Sequence, residues 1–532
     1  MEDALVCLAF AAVPLASSDA FSDRYTTVKW YLVHGIAAAW LTLAVCGLGR
    51  RGWPGFVRRH AALAALFAAL GAWSVFRSGV LAGLAPAADR AACAAIALCA
   101  AWRLAADGGR TGAMVAGASL SAAATIALGL AQAAGATLPA RFAAREGPAA
   151  LFGNVNMAAQ FVGLALVLVL SFEMEGRRRA AWNALRAALG LSGAVYLYLL
   201  GSRSVLLALA AAGFALAGAT RRRAMAAVGA AAALLLAAVW LGPSPGLDPA
   251  AAARKSTSIG LRLALWSDTV ALVRDHPLFG VGARGFEHAF VAYQAAGRLA
   301  PDEALVYTNP HDEYLRYLAE DGAAFAVLAA VLAGLLVAQW RRAPGVPPPL
   351  RALVVGWSAF LAVEAVFQFP LALAFGGMAA AVTVGAAVAA GEVSLAAPGR
   401  RPAWIAGSLV FAVLLTAASL RVARSETLAV ARPDDAAALA RACALDPRNV
   451  VACVNAAYLE HRDGDRAAAV ARLRALLARA PDYPPALKLL GEIALHDGDL
   501  AEACRRLSRY DALYRGASSA HASAQRACAE GF

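Results

Sequence analysis

Apolar residues along this chain neither alternate nor return every third or fourth position. They run on without interruption for roughly 17–25 residues at a time, and a charged or glycine-rich turn ends each run. A helix that is apolar on every face has lipid or protein around it on every face, and about 20 such residues span a bilayer. Thirteen spans are expected, near 4–17, 27–48, 60–76, 84–104, 112–135, 152–173, 187–200, 203–219, 224–241, 322–340, 351–368, 371–391 and 403–421. The first apolar run, Leu5 to Leu15, is short and is expected as a retained first helix rather than a removed leader. From about 425 onward the pattern changes to polar, charged and helix-forming sequence, which sets 1–424 apart from a tail at 425–532.

Within the tail, "DGD" stands at 463–465 and again at 497–499, an offset of 34, and Ala469 and Ala503 share that offset. The period and the helix–turn–helix pattern resemble tetratricopeptide repeats. Two repeats rarely stand alone, so the tail is expected to lean on the membrane domain or on a protein partner.

Composition agrees with the runs. Of 532 residues 61% are hydrophobic, and mean hydropathy is +0.60. The formal charge of +13 raises the question of nucleic acid, but the arginines gather in short loops between apolar runs, so no nucleic-acid partner is expected. The basic loops are "RRGWPGFVRR" (50–59), "RLAADGGR" (103–110), "EGRRRAAWNALR" (175–186), "RRR" (221–223), "WRRAPGVPPPLR" (340–351) and "GRRP" (399–402). Their alternation with less charged loops predicts a multi-pass protein of the bacterial inner membrane. The amino terminus is cytoplasmic on this reading, and the long loop 242–321 and the tail are periplasmic.

Cys7, Cys46, Cys93 and Cys99 fall in spans and read as small apolar residues. Cys443, Cys453, Cys504 and Cys528 all fall in the tail. In an oxidising compartment they are expected to pair as 443–453 and 504–528. The spacing of His276, His288 and His311 does not suit a metal ion, and no cofactor is implied.

The polar residues that need a reason lie at one end of the spans. In "TNPHDEYLRYLAEDG" (308–322), Asn309 reads as an N-cap and Pro310 as the first helical residue, which places His311 in a first helical turn. Arg203, in "GSRS" (201–204), is out of pattern because the other basic residues face the opposite side. Arg262 opens an amphipathic stretch in which Leu261, Leu265, Trp266, Thr269 and Leu272 share one side, as in a membrane-surface helix. "GVGARG" lacks the strand–helix setting of a dinucleotide fold. Two arginines that can hold a diphosphate and a histidine that can take a proton suit glycosyl transfer from a lipid-linked diphosphate sugar. The arginines supply the positive charge, so no divalent metal is required. A transporter is the rival reading, with Glu364 as its membrane carboxylate, although a structural partner for Glu364 is the simpler expectation.

"LRLALWSDTVALVRDHPLFGVGARGF" and "NPHDEYLRYLAEDG" resemble the two signature blocks of the O-antigen ligase/polymerase superfamily, and "LFGNVNMAAQF" (151–161) and "GSRSVLLAL" (201–209) resemble its upstream blocks. The resemblance implies an all-α, GT-C-like membrane bundle that transfers a glycan from an undecaprenyl-diphosphate-linked donor on the periplasmic side. It also implies His311 as the essential histidine and Arg203 and Arg262 as the diphosphate-binding arginines. Arg284, Asp312, Tyr314, Asn154 and Asn156 lie in the same blocks as supporting residues. Asp312 replaces the asparagine that commonly follows the family histidine. The acceptor stays open among lipid A core, a growing glycan and a protein hydroxyl.

Overall fold

The computed structural model describes residues 2–21, 23–45, 69, 72–73, 80–106, 109–139, 142, 147–220, 223–241, 249–294, 307–343, 346–390, 402–513 and 520–530. The described residues are helical with connecting turns. The bundle comprises α1 (Glu2–Leu15), α2 (Thr27–Val45), α3 (Val80–Ala106), α4 (Gly112–Ala133), α5 (Val155–Ser171), α6 (Arg179–Leu200), α7 (Arg203–Thr220) and α8 (Arg223–Leu241). The chain then forms α9 (Pro249–Asp275) and the short α10 (Phe286–Ala289), and returns through α11 (Glu313–Arg342), α12 (Pro348–Phe367), α13 (Ala374–Ala390) and α14 (Pro402–Ala431). Six helices of this set are long and apolar enough to cross a membrane, and Val155–Ser171 and Ala374–Ala390 are shorter apolar helices. The span expected at 60–76 falls almost wholly outside the described residues, as do Cys46 and the loop segments 242–248 and 295–306.

The bundle is held by close approach of small residues and by a seam of rings. A Cβ on Gly213 would stand 2.6 Å from the backbone nitrogen of Gly229, so α7 and α8 touch backbone to backbone. Phe161 meets Phe375 edge to face at 4.8 Å, and the buried Trp357 indole donates to the Leu164 carbonyl at 2.9 Å. Helices α7 and α12 run antiparallel. Arg351 reaches the Ala219 carbonyl at one end, and Ser204 meets Glu364 at the other.

Two departures from the expected helices matter for the site. First, α11 begins at Glu313, not Pro310. Its N-cap is Asp312, whose side chain accepts the Leu315 N–H at 2.8 Å, and Asn309 instead accepts the His311 N–H at 3.1 Å in a turn outside the helix. Second, the apolar side of α9 does not lie on a membrane surface. Leu265, Thr269 and Leu272 are buried, with Phe286, Phe290 and Ala319 packed against the leucines, and Leu261 is left exposed.

Gly322, at φ 75°, breaks α11 into two helical pieces. The turn after α9 repairs the break. The N–H groups of Val281 and Gly282 donate to the carbonyls of Ala319 and Glu320 at 2.9 and 2.8 Å, and Ala323 and Ala324 donate to Pro277 and Leu278 at 2.9 and 3.1 Å. A helix interrupted in its middle leaves backbone groups that must be satisfied, and here the glycine-rich turn satisfies them. A Cβ at Gly322 would collide with the Leu278 carbonyl, and one at Gly280 with that of Glu320. The glycines of "FGVGARG" and "EDG" therefore serve one staple between the two segments.

The tail forms α15 (Ala436–Leu445), α16 (Val450–Arg462), α17 (Arg466–Leu477), α18 (Pro484–His496), α19 (Leu500–Leu513) and α20 (His521–Glu530), with each helix packed on the next. Cys443 is bonded to Cys453 across α15 and α16, and Cys504 to Cys528 across α19 and α20, with Cα separations of 4.9 and 4.8 Å. The tail leans on the long loop. Val291 is buried in the tail's own apolar core, and the His288 ring meets Tyr483 edge to face at 5.7 Å. Burial and the nearby Arg448 and Arg479 push the His288 imidazole down to about 4, so this contact is made by a neutral ring.

Candidate functional site

Helices that leave the arginine-rich loops arrive together at the opposite end of the bundle. There α6 ends at Leu200, α7 begins at Arg203, α8 ends at Leu241, α11 begins at Glu313 and α12 ends at Phe367. His311 sits at this end, one residue before the Asp312 cap, in the left-handed region at φ 54°. A side chain other than glycine rarely adopts this region, and holding it there costs about 1–3 kcal/mol that the surroundings must offset. Arg284 at φ 53° is left-handed too, so two of the three such non-glycine residues among the described ones lie in the motif blocks.

Three neighbours fix the histidine. Trp266 donates its indole N–H to the Pro310 carbonyl at 3.1 Å. Phe369 lies edge-on to the imidazole with ring centres 5.4 Å apart, and Gln368 hydrogen-bonds the ring. Arg262 precedes Trp266 by four residues on α9, so it shares the helix face turned toward His311. The arginine's charge is felt by the ring. Burial first, and Arg262 second, hold the imidazole below its ordinary value of 6.5, and the Gln368 hydrogen bond opposes them. Asp312 and Glu313, which could have favoured imidazolium, are committed elsewhere: Asp312 to its cap, and Glu313 to Arg316 and the Leu371 N–H. Nδ1 of His311 is buried and without a hydrogen-bond partner among the described residues. The result is a neutral imidazole with an unused nitrogen, beside a fixed positive charge.

Burial lowers the Arg262 guanidinium from its ordinary value, and the Glu364 carboxylate opposes that shift. Glu364 is fully buried and accepts the Ser204 hydroxyl at 3.1 Å. It thus joins α12 to the start of α7, one residue from Arg203. A buried carboxylate with a hydroxyl donor and an arginine in its field has a structural partner, which is the simpler expectation for it. The Arg203 guanidinium itself lies over the Trp240 ring, 4.6 Å from the centroid. Arg203, Arg262 and His311 therefore stand at the same end of the bundle, where Glu364 bonds Ser204 beside Arg203 and acts on the charge of Arg262.

The supporting residues divide. Asp312 shapes the backbone that presents His311. Tyr314 is exposed, and its hydroxyl donates to the Ala362 carbonyl at 3.1 Å. Arg284 pairs with Asp89 at 2.5 Å, and the other oxygen of Asp89 meets His34 at 3.0 Å. Asn154 caps α5 by accepting the Asn156 N–H at 2.8 Å, and both hold that helix start rather than the histidine. Sequence reasoning passed over Gln368 and Phe369. They sit in "FQFPLALAF", where a polar residue between two rings just before a proline was the available signal. Among the described residues no group of three or more His, Cys, Asp or Glu is arranged to hold a metal ion.

No curated protein matches the chain. A family model described as O-antigen ligase matches residues 187–324, a stretch that contains Arg203, Arg262, Arg284, the Gly280–Gly322 staple and His311. Over this stretch the chain is similar to the O-antigen ligase/polymerase superfamily, and with its apolar helices the match points to an integral membrane protein of glycosyltransferase type that handles a glycan and a lipid-linked donor.

Proposed function

We propose that the protein transfers a glycan from an undecaprenyl-diphosphate-linked donor to an acceptor hydroxyl on the periplasmic face of the inner membrane. The observation that carries this reading is Nδ1 of His311, buried beside Arg262 and without a hydrogen-bond partner among the described residues. A neutral imidazole accepts the proton of the acceptor hydroxyl as its oxygen bonds to the anomeric carbon. The bond from that carbon to the diphosphate oxygen breaks, and the electron pair leaves with the diphosphate. Arg262 and Arg203 hold the diphosphate through paired hydrogen bonds and take up the charge that develops on it. This chemistry runs without a divalent metal. The charge alternation of the loops supports a cytoplasmic amino terminus and a periplasmic tail, and the two tail disulfides suit an oxidising compartment. The tail is read as a helical-repeat domain of tetratricopeptide type that steadies the catalytic loop or a protein partner.

Purified protein incubated with a lipid-diphosphate glycan tests the proposal. Lipid A core, a shorter lipid-linked glycan and a serine-containing protein serve as parallel acceptors, and mass spectrometry identifies the product. Transfer to lipid A core makes the protein a ligase, extension of the glycan makes it a polymerase, and modified serine makes it a protein oligosaccharyltransferase. Movement of the donor across a vesicle membrane with no new glycosidic bond overturns the enzyme reading.

A further inference from the structure

A groove of about 760 Å³ runs along the flank of the bundle between α5, α6, α7 and α8, away from His311. Its walls are apolar, among them Leu166, Gly190, Leu197, Leu209 and Leu235. Leu191 on α6 and Leu234 on α8 are 72% and 71% exposed. In a membrane-spanning chain such a groove faces hydrocarbon, and lipid fills it, because an empty cleft forfeits dispersion contacts along its whole lining. One end is different. Glu173, Asn183, Arg186 and Arg223 line it, and Arg177, Arg178 and Arg179 stand exposed on the turn that leads into α6. The sequence places Arg221 and Arg222 directly before Arg223.

We infer that this groove binds an anionic glycerophospholipid, its phosphate on Arg186 and Arg223 and an acyl chain along α6. Charge selects the headgroup. Two carboxylates, Glu173 in the lining and Glu175 on the turn, are outnumbered by Arg177, Arg178, Arg179, Arg186 and Arg223, and basic pockets between membrane helices suit anionic headgroups. Arg186 is already aimed by bonds to the Phe172 carbonyl at 3.2 Å and to Asn183 at 3.1 Å, and an arginine has further N–H donors to offer. Length selects the chain. From Arg186 to Leu197 the helix rises roughly 16 Å at about 1.5 Å per residue, about half of a hydrocarbon core of roughly 30 Å. That is the depth of one leaflet, which fits an acyl chain and is far short of a long polyprenyl chain. In the proposed orientation the leaflet is the cytoplasmic one. The inference needs only that the chain spans a membrane, and it stands apart from the transfer chemistry.

Full-length protein reconstituted in nanodiscs with phosphatidylethanolamine plus either phosphatidylglycerol or cardiolipin is then delipidated by detergent exchange. Retained lipid is identified by native mass spectrometry. The expected result is retention of phosphatidylglycerol or cardiolipin over phosphatidylethanolamine, reduced about tenfold, as for a lost charge contact of about 1.4 kcal/mol, in Arg186→Gln/Arg223→Gln. Arg223→Gln alone, at an exposed helix start, gives a smaller drop and decides the matter if the double variant does not fold. Equal retention of phosphatidylethanolamine, unchanged retention in both variants, a retained polyprenyl phosphate, or a second protein copy cross-linked across the groove each overturns the inference.

Discussion

The bundle and the tail are both built from alanine-rich helices, and both pair charges between helices, as Arg472 with Glu460 does in the tail, yet they treat their helix starts differently. In the tail, helix starts are closed locally. Asp435, Asn449, Asp465 and Asp499 each accept a backbone N–H three residues on, at 2.9, 3.1, 3.1 and 3.0 Å. In the bundle, polar side chains reach across to other helices. Arg90 meets Asp321, Arg103 meets Asp3, Asp89 meets both His34 and Arg284, and Lys29 donates to three carbonyls at 2.7, 2.7 and 2.8 Å. Water competes for every polar group of a solvated helix, so a short-range cap is enough there. Hydrocarbon offers no partner, so a charged group in the bundle is answered by another segment, while hydroxyls such as Thr220 and Thr383 bond a carbonyl one turn back in their own helix. The exceptions in the bundle teach the most. Among its helix starts with a side-chain cap are Asn154 and Asp312, and Asp312 lies within the stretch matched by the O-antigen ligase model.

The contrast predicts that polar losses at the site remove function, whereas polar losses in the tail remove only stability. The largest effect is expected for His311→Ala. Loss of a general base costs about 10²–10⁴-fold in transfer rate, with donor binding kept, and single-turnover product analysis measures it. The lowered imidazole value sets the pH profile as well. The base form persists on acidification to below the ordinary 6.5, so transfer holds steady above that pH and falls on its acid side. An activity that instead rises on acidification breaks the assignment.

Next comes Arg262→Lys. A point charge does not reproduce the paired hydrogen bonds of a guanidinium, and a loss of about 10- to 100-fold is expected. Unchanged turnover with weakened donor retention would move Arg262 from leaving-group stabilisation to plain binding.

Third, Cys504→Ser with Cys528→Ser should lower the unfolding free energy of the tail by about 2–4 kcal/mol, read from thermal melts with and without reductant. A melt that reductant does not shift in the wild type shows that the bond does not form in cells.

Gly322→Ala follows, with a cost of about 1–3 kcal/mol from the left-handed backbone alone. The clash with the Leu278 carbonyl adds to it by opening the staple, and hydrogen exchange at Ala323 and Ala324 reports the opening.

Smallest is a matched pair, Asp435→Ala and Asp312→Ala. Each removes one cap at about 1 kcal/mol, but only the second disturbs the turn that presents His311. Equal transfer activity in the two variants would erase the distinction between the regions.

The sequence by itself determined the helices of the bundle, because lipid demands long unbroken apolar runs and the chain can meet that demand locally. It grouped four cysteines in the tail and suggested 443–453 and 504–528 as the simplest pairs, and the folded tail brings those pairs together on adjoining helices. It marked His311, Arg203 and Arg262 as polar residues out of place. Only tertiary structure decided where α11 starts. "TNPHD" offers two capping side chains, Asn309 and Asp312, and nothing local prefers one. Trp266 from α9 and Phe369 and Gln368 from beyond α12 hold Pro310 and His311 outside the helix and leave the cap to Asp312. The same holds for the partner of Glu364, 160 residues away at Ser204, for the turn that mends the break at Gly322, and for Val291 inside the tail's core. Caps and apolar runs are set by neighbours along the chain. The protonation state of a buried ring is set by whatever else is buried beside it, and that is fixed only when distant segments meet.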